Sequence, residues 1–168
     1  MTGSIKRLLL AIGWISILFC NGCGFHLRGV IDMPPWLNDI AIMVQKVHRD
    51  LGPDLKEQLQ AYHIHVSKRP NQARYWLILE EDFEEKHITS VSSSTTPRQY
   101  QVTYTVQFKL EEANGKDIIP TSRVTANRLV TINSDRILGS NYEEGLLKEE
   151  MRHDAIIQII DRLGHAPR

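Results

Sequence analysis

Gln99-Tyr100-Gln101-Val102-Thr103-Tyr104-Thr105-Val106-Gln107-Phe108-Lys109-Leu110 alternates polar with apolar or aromatic side chains along its whole length. Successive side chains of a strand point to opposite faces, so one face here is packed. The other, carrying Gln101, Thr103, Thr105 and Gln107, is polar. Downstream, Asn114-Gly115 is a strong hairpin signal, and residues 118–132 are expected to return as the partner strand. Pro120 cannot donate to a ladder and therefore marks an edge or a bulge. Upstream, Tyr75 to Phe83 reads as the preceding strand, continued with a bend through residues 84–91. Ser92-Ser93-Ser94-Thr95-Thr96-Pro97 cannot build a core and is expected to be a mobile hairpin tip.

Ile40-Ala41-Ile42-Met43-Val44 has strand length and suits burial on both faces. Gly52-Pro53 sets proline at the first position of a helix, with Asp54 and Glu57 in its first turn and Leu55, Leu59 and Tyr62 on one stripe. His63 to Ser67 reads as a second strand, parallel to the first. Ser140 and Glu143 have capping-box spacing, and Leu146, Leu147, Met151, Ala155, Ile156, Ile159, Ile160 and Leu163 recur at helical intervals before Gly164. The fold class is therefore α+β: a two-layer sandwich in which two helices cover one face of a mixed, roughly four-stranded sheet. The Gln- and Thr-rich face stays uncovered.

The amino terminus has a different character. Lys6 and Arg7 precede an apolar run from Leu8 to Phe19, followed by Asn21, Gly22 and Cys23. A spanning helix needs about 20 apolar residues, so this shorter run reads as a removable export signal. A cysteine straight after a small residue is what lipoprotein processing requires. The expected organisation is a signal peptide over 1–22, a lipidated tether over 23–38 and one α/β domain over 39–168. Cys20 and Cys23 spell a C-x-x-C redox spacing. Cleavage would discard the first thiol and acylation would consume the second.

Among the 168 residues, 20 Lys and Arg balance 20 Asp and Glu. Bulk charge gives no nucleic-acid signal. Of the seven histidines, His63 and His65 could share one side of a strand, but no third ligand lies nearby in sequence and no metal site is expected. Glu80-Glu81-Asp82-Phe83-Glu84-Glu85 lacks the loop glycine of a calcium site and reads as a solvated strand edge. No G-x-S-x-G elbow, H-E-x-x-H pair or glycine-rich phosphate cradle is present, so an enzyme is not expected.

Cys23-Gly24-Phe25-His26-Leu27-Arg28 resembles the mature amino terminus of the LptE family of lipopolysaccharide-assembly lipoproteins, which reads C-G-[FW]-H-L-R. Asp117-Ile118-Ile119-Pro120, the run from Leu147 to Ala155, and Arg162-Leu163 extend the resemblance. It implies a two-helix, four-stranded domain that plugs the LptD β-barrel one to one, helps it assemble and binds lipopolysaccharide. It also implies a lipid-anchored position at the outer membrane, facing the periplasm within the barrel lumen. No cofactor is implied beyond the N-acyl S-diacylglycerol group on Cys23. Family contacts to lipopolysaccharide come from basic residues near one end of the sheet. This chain has Ser93 and Ser140 at or near those places, and Arg98 and Arg136 are the nearest basic residues. Gln101, Thr103, Thr105 and Gln107 would meet the barrel wall. Two other classes compete: an outer-membrane adaptor or pilotin of another envelope machine, and an anchored periplasmic hydrolase.

Gly24 in place of the inner-membrane retention residue Asp points to outer-membrane sorting. Each buried methylene contributes about 0.8 kcal/mol, so two or three acyl chains anchor a protein almost permanently. Cys23→Ala should therefore release the protein from membranes and abolish incorporation of radiolabelled fatty acid; label retained in that variant would refute the anchor.

Overall fold

The computed structural model describes residues 31–91, 97–131 and 140–167. The signal segment, Cys23, residues 92–96 of the expected hairpin tip, and Arg136 lie outside them. In chain order the elements are β1 (Asp39–Lys46), α1 (Leu51–Ala61), β2 (His65–Val66), a 3-10 turn (Pro70–Gln72), β3 (Tyr75–Val91), β4 (Pro97–Glu112), β5 (Asp117–Thr131) and α2 (Ser140–Gly164). The sheet order is β2-β1-β3-β4-β5. β1 runs parallel to both β2 and β3, while β3–β4 and β4–β5 are antiparallel. The α+β sandwich is thus present, with a fifth, two-residue strand at one edge. Only His65 and Val66 of the expected second strand pair with β1, because His63 is taken up in ending α1.

Helix α1 starts at Leu51, two residues before the proline expected to open it. Pro53 costs nothing there, since the first-turn N–H groups have no partner within the helix. At the other end Ile64 N donates to Leu59 O at 3.1 Å and His63 N to Gln60 O at 3.0 Å, with His63 at φ +62°. This is the Schellman closure, in which glycine usually holds the left-handed position. The hairpin joining β4 to β5 turns at Asn114-Gly115, with Gly115 at φ +87°. Pro120 sits where Phe108 pairs with Ser122 but Leu110 with Ile119, a bulge on the outermost strand.

The main core lies between the helices and the proximal half of the sheet. Leu51, Leu55 and Leu59 of α1 and Ala155, Ile156, Ile159, Ile160 and Leu163 of α2 meet Ile40, Leu77, Leu79, Val106, Phe108 and Leu110. Within the segment read as tether, Leu37 is fully buried and Ile31, Met33 and Trp36 pack against this core. A smaller cluster of Val102, Ala126 and Met151 lies further along under α2, flanked by Tyr100, Tyr104, Val130 and Leu147. Leu146 departs from the expected stripe. It is 48% exposed, at the margin of the helix's buried face.

A bulge organises β3. Leu79 pairs with Phe108 and Glu81 with Gln107, so Glu80 is an extra residue that switches the faces. Before it Tyr75, Leu77 and Leu79 face the helices; after it Asp82, Glu84 and Lys86 do. The acidic run is therefore no uniformly solvated edge, because two of its carboxylates are turned inward to partners. β1 stops at the Lys46–Glu81 pair. Beyond that point β3 is bordered on one side only by a described strand.

Glycine reaches the left-handed region without the clash of a Cβ, although it loses more entropy on folding. His63→Gly is expected to raise stability by about 0.5–1 kcal/mol, read as a higher urea midpoint at unchanged slope. An unchanged or lower midpoint would show that His63 makes compensating contacts.

Candidate functional site

The four residues expected to form a contact surface do share a face, the one turned away from the helices. Across β4 and β5, Gln101 opposes Leu129, Thr103 opposes Asn127, Thr105 opposes Thr125 and Gln107 opposes Arg123. Their polar groups engage one another laterally. Asn127 Oδ1 accepts from Thr103 Oγ1 at 2.8 Å and from Gln101 Nε2 at 3.3 Å. Thr105 and Thr125 share a hydrogen bond of 3.4 Å, and Gln107, with its amide oxygen toward β5, accepts from Arg123 Nε and Nη2 at 3.1 Å. Arg123, Thr125 and Asn127 thus belong to the surface. Their alternation along residues 118–132 was the available signal, masked by the polar residues scattered through that strand.

The row is not evenly open. Gln101 is exposed, but Thr105 is only 6% exposed, between its neighbours Phe83 and Thr125. Toward β1 the same face turns apolar, with Ala41, Met43, Trp76, Ile78 and Phe83. Ala41 of β1 and Ile78 of β3 are buried there although no described helix covers them; of the β1 run expected to be buried on both faces, Ile40 and Ala41 are, whereas Val44 is 50% exposed. Trp76 Nε1 donates to Pro70 O at 2.8 Å.

On the helix side an ionic layer fills the space beyond the main core. Asp82 accepts Tyr104 O–H at 2.5 Å and the His48 N–H at 3.0 Å, tying β3 to β4 and to the turn before α1. Burial, and then that carboxylate, push the Tyr104 phenol far above its ordinary range, so it stays a donor. Lys86 bonds Glu144 of α2 at 2.5 Å, and Lys148 lies 3.3 Å from both Glu84 and Glu144. The Lys86 hydrogen bond is the main reason the Glu144 carboxyl is held below the usual range, and the same bond raises the Lys86 ammonium. Arg152 reaches Asp50 and Asp54 at the start of α1, and Arg128 of β5 pairs with Asp154. The polar residues of the run from Leu147 to Ala155 therefore dock α2 onto α1, β3 and β5.

Arg98 lies in β4, near the end of the sheet where basic residues were expected. Three other cations of the distal half, Lys86, Arg128 and Lys148, are each ion-paired. His63 and His65 do not converge with a third ligand, and no cluster of metal-ligating side chains occurs among the described residues. No described helix is long and apolar enough to cross a membrane.

With this geometry in view, the comparisons with known proteins are specific. A family model described as LptE, lipopolysaccharide-assembly, matches residues 37–163. The chain is 27% identical over 158 residues to the LPS-assembly lipoprotein LptE of Pectobacterium atrosepticum, covering 94% of this chain and 85% of that protein. Its counterpart in Yersinia enterocolitica is 26% identical, covering 94% and 75%. Among solved structures, lipoprotein B from Nitrosomonas europaea superposes with a TM-score of 0.67 at 22% identity, covering 84% and 90% of the two chains. A minor lipoprotein from Acinetobacter baumannii gives 0.64 at 20% identity, covering 78% and 95%. At those identities the two structures speak to the fold alone.

The Lys86–Glu144 pair has a testable pH signature. A carboxyl depressed in the folded state adds stability that is full above its ordinary value of 4.5 and fades as pH falls through the folded value. Both side chains are about a third or more exposed, so the contribution is discounted to at most about 1 kcal/mol. Lys86→Met should lose that amount at neutral pH, and its gap from wild type in urea denaturation should narrow as pH falls below 4.5. A gap that stays constant as the pH is lowered would mean that packing, not charge, carries the effect.

Proposed function

This chain belongs to the LptE lipopolysaccharide-assembly family, and on that premise we propose that it is an outer-membrane lipoprotein that plugs the LptD β-barrel. In this reading it is anchored by acyl chains on Cys23, pairs one to one with the barrel, assists its assembly and binds lipopolysaccharide on the way to the outer leaflet. It carries out no chemistry of its own. The observation that carries the reading is the family match over residues 37–163, nearly the whole described domain. The sheet face adds physical support. A large barrel has a polar, wet interior. Apart from Arg123, whose guanidinium bonds Gln107, the face across these pairs is neutral and its groups already bond one another, so it suits such an interior, while Thr103 and Gln101 keep unused hydrogen-bonding capacity. Arg98 and Arg136 are the residues proposed to meet lipopolysaccharide phosphates, since guanidinium binds phosphate in a two-pronged fashion.

The geometry also selects the variant that tests the face. Thr105 is buried, so a charge there would damage the fold itself. Gln101 and Thr103 are more accessible. Single changes of either to Ala should matter little, each neutral contact being worth about 0.5–1.5 kcal/mol. The double variant Gln101→Glu with Thr103→Glu should keep its melting behaviour, yet copurify poorly with LptD and sensitise cells to large antibiotics. Normal copurification together with normal permeability would remove this face from the barrel contact.

A further inference from the structure

Between Glu57 and Glu80 the sequence contains no Asp or Glu, and within that stretch Lys68, Arg69 and Arg74 fall close together. They flank the 3-10 turn, Pro70–Gln72, that leads from β2 into β3. All three are exposed, and among the described residues none of them is ion-paired, whereas Lys86, Lys109, Arg128, Lys148 and Arg152 each are. Of the carboxylates opposite this stretch in the sheet, Glu111 bonds Lys109 at 2.7 Å, Glu112 accepts from Asn114 Nδ2 at 2.9 Å, and Asp39 has its Oδ1 buried. The turn itself is tied down. Trp76 Nε1 donates to Pro70 O at 2.8 Å, Ser67 Oγ and Gln72 N donate to Arg69 O at 3.1 and 3.0 Å, and the Arg74 guanidinium lies 5.5 Å from the centre of the Tyr75 ring. The cations are therefore presented from a fixed backbone, which lowers the ordering cost of docking.

The chain from Cys23 enters the fold beside this turn. Ile31 lies so close to the end of α2 that a Cβ on Gly164 would stand 2.6 Å from its Cγ2. Leu37 is buried, and Asn38 O accepts from His65 N at 3.0 Å, three residues before Lys68. Residues 31–38 are thus a strap fixed to the domain, and only residues 24–30 separate it from Cys23. Eight peptide steps from Cys23 to Ile31 cannot exceed about 29 Å. An acyl chain on that cysteine keeps the phosphates of its own leaflet at high local concentration around the basic turn, an advantage that a separate acidic protein lacks.

We propose that the turn carrying Lys68, Arg69 and Arg74 docks on anionic glycerophospholipid headgroups of the leaflet that holds the acyl anchor, giving the domain a second contact with its own membrane. Guanidinium and ammonium groups both bind phosphate oxygens, the former in a two-pronged fashion. Basic groups beside a lipid anchor are attracted to an anionic surface over about one Debye length, so the contact weakens as salt rises. This inference rests on the Cys23 anchor of the proposed function and requires no barrel.

The test reconstitutes the full-length lipoprotein in vesicles of phosphatidylcholine alone and of equimolar phosphatidylcholine and phosphatidylglycerol, and follows amide hydrogen exchange. Exchange across residues 67–74 should slow about tenfold in the anionic vesicles only, and the protection should vanish in about 1 M salt. The variant Lys68→Glu with Arg69→Glu should lose the protection while keeping its thermal midpoint, whereas Lys68→Arg with Arg69→Lys should retain it. Equal exchange in the two vesicles, protection that survives the salt, protection kept by the charge-reversed variant, or protection centred on residues 113–116 instead would each overturn the proposal. The same slowing by inorganic phosphate over phosphatidylcholine vesicles would overturn it too, by making the turn a site for a free anion. Absence of acyl mass on the Cys23 peptide would bring down the anchor and this contact together; an acylated, vesicle-bound chain without protection would bring down this contact alone.

Discussion

One extra residue in β3 decides what the two faces of this sheet carry. With Glu80 bulged out between the Leu79–Phe108 and Glu81–Gln107 pairs, the strand presents Tyr75, Leu77 and Leu79 to the helices and then, parity reversed, Asp82, Glu84 and Lys86. An unbroken alternation would instead send Phe83 and Glu85 under α2. Because the side-chain period is two, that single step turns Asp82, Glu84 and Lys86 inward in place of Glu81, Phe83 and Glu85. The step works because partners wait on the other elements: Tyr104 and the His48 amide for Asp82, Lys148 for Glu84, and Glu144 for Lys86.

Helix α2 spans both regimes, and the energies differ. Its last turns bury Ile156, Ile159, Ile160 and Leu163, each worth about 1.5–3 kcal/mol in transfer from water. Its first half is held by the Met151 cluster and by partly exposed ion pairs, each typically contributing about 0–1 kcal/mol. The proximal half therefore holds the domain together. The distal half mainly sets direction, since Arg152, Asp154 and Lys148 accept only one placement of the helix against α1, β5 and β3.

That division leaves surfaces free to be specified for contact rather than for stability. The face away from the helices is apolar near β1 and polar and laterally bonded across β4 and β5, with Arg123 as a cation in that row. Leu129 and Ile88 remain more than half exposed toward the distal end, on opposite faces.

Much was decided by sequence alone. The alternation from Gln99 to Leu110, the turn at Asn114-Gly115 and the helical spacing from Leu147 to Leu163 specify the hairpin, the packed face and the long helix, because each is a local pattern written within one element. The residues from Cys23 to Arg28 carried the family resemblance, borne out by the match over residues 37–163. Gln101, Thr103, Thr105 and Gln107 were placed on one face by the same reasoning. Their lateral bonds to Asn127, Thr125 and Arg123 depend on the β4–β5 register, which no single strand contains. The burial of Thr105, the inversion at Glu80, the partners of Lys86 and Arg152, and the half-open edge of β3 likewise arise between elements far apart in the chain. Periodicity tells which side of its own element a residue occupies. What stands opposite is fixed only when strands pair and helices dock, and that belongs to the tertiary structure.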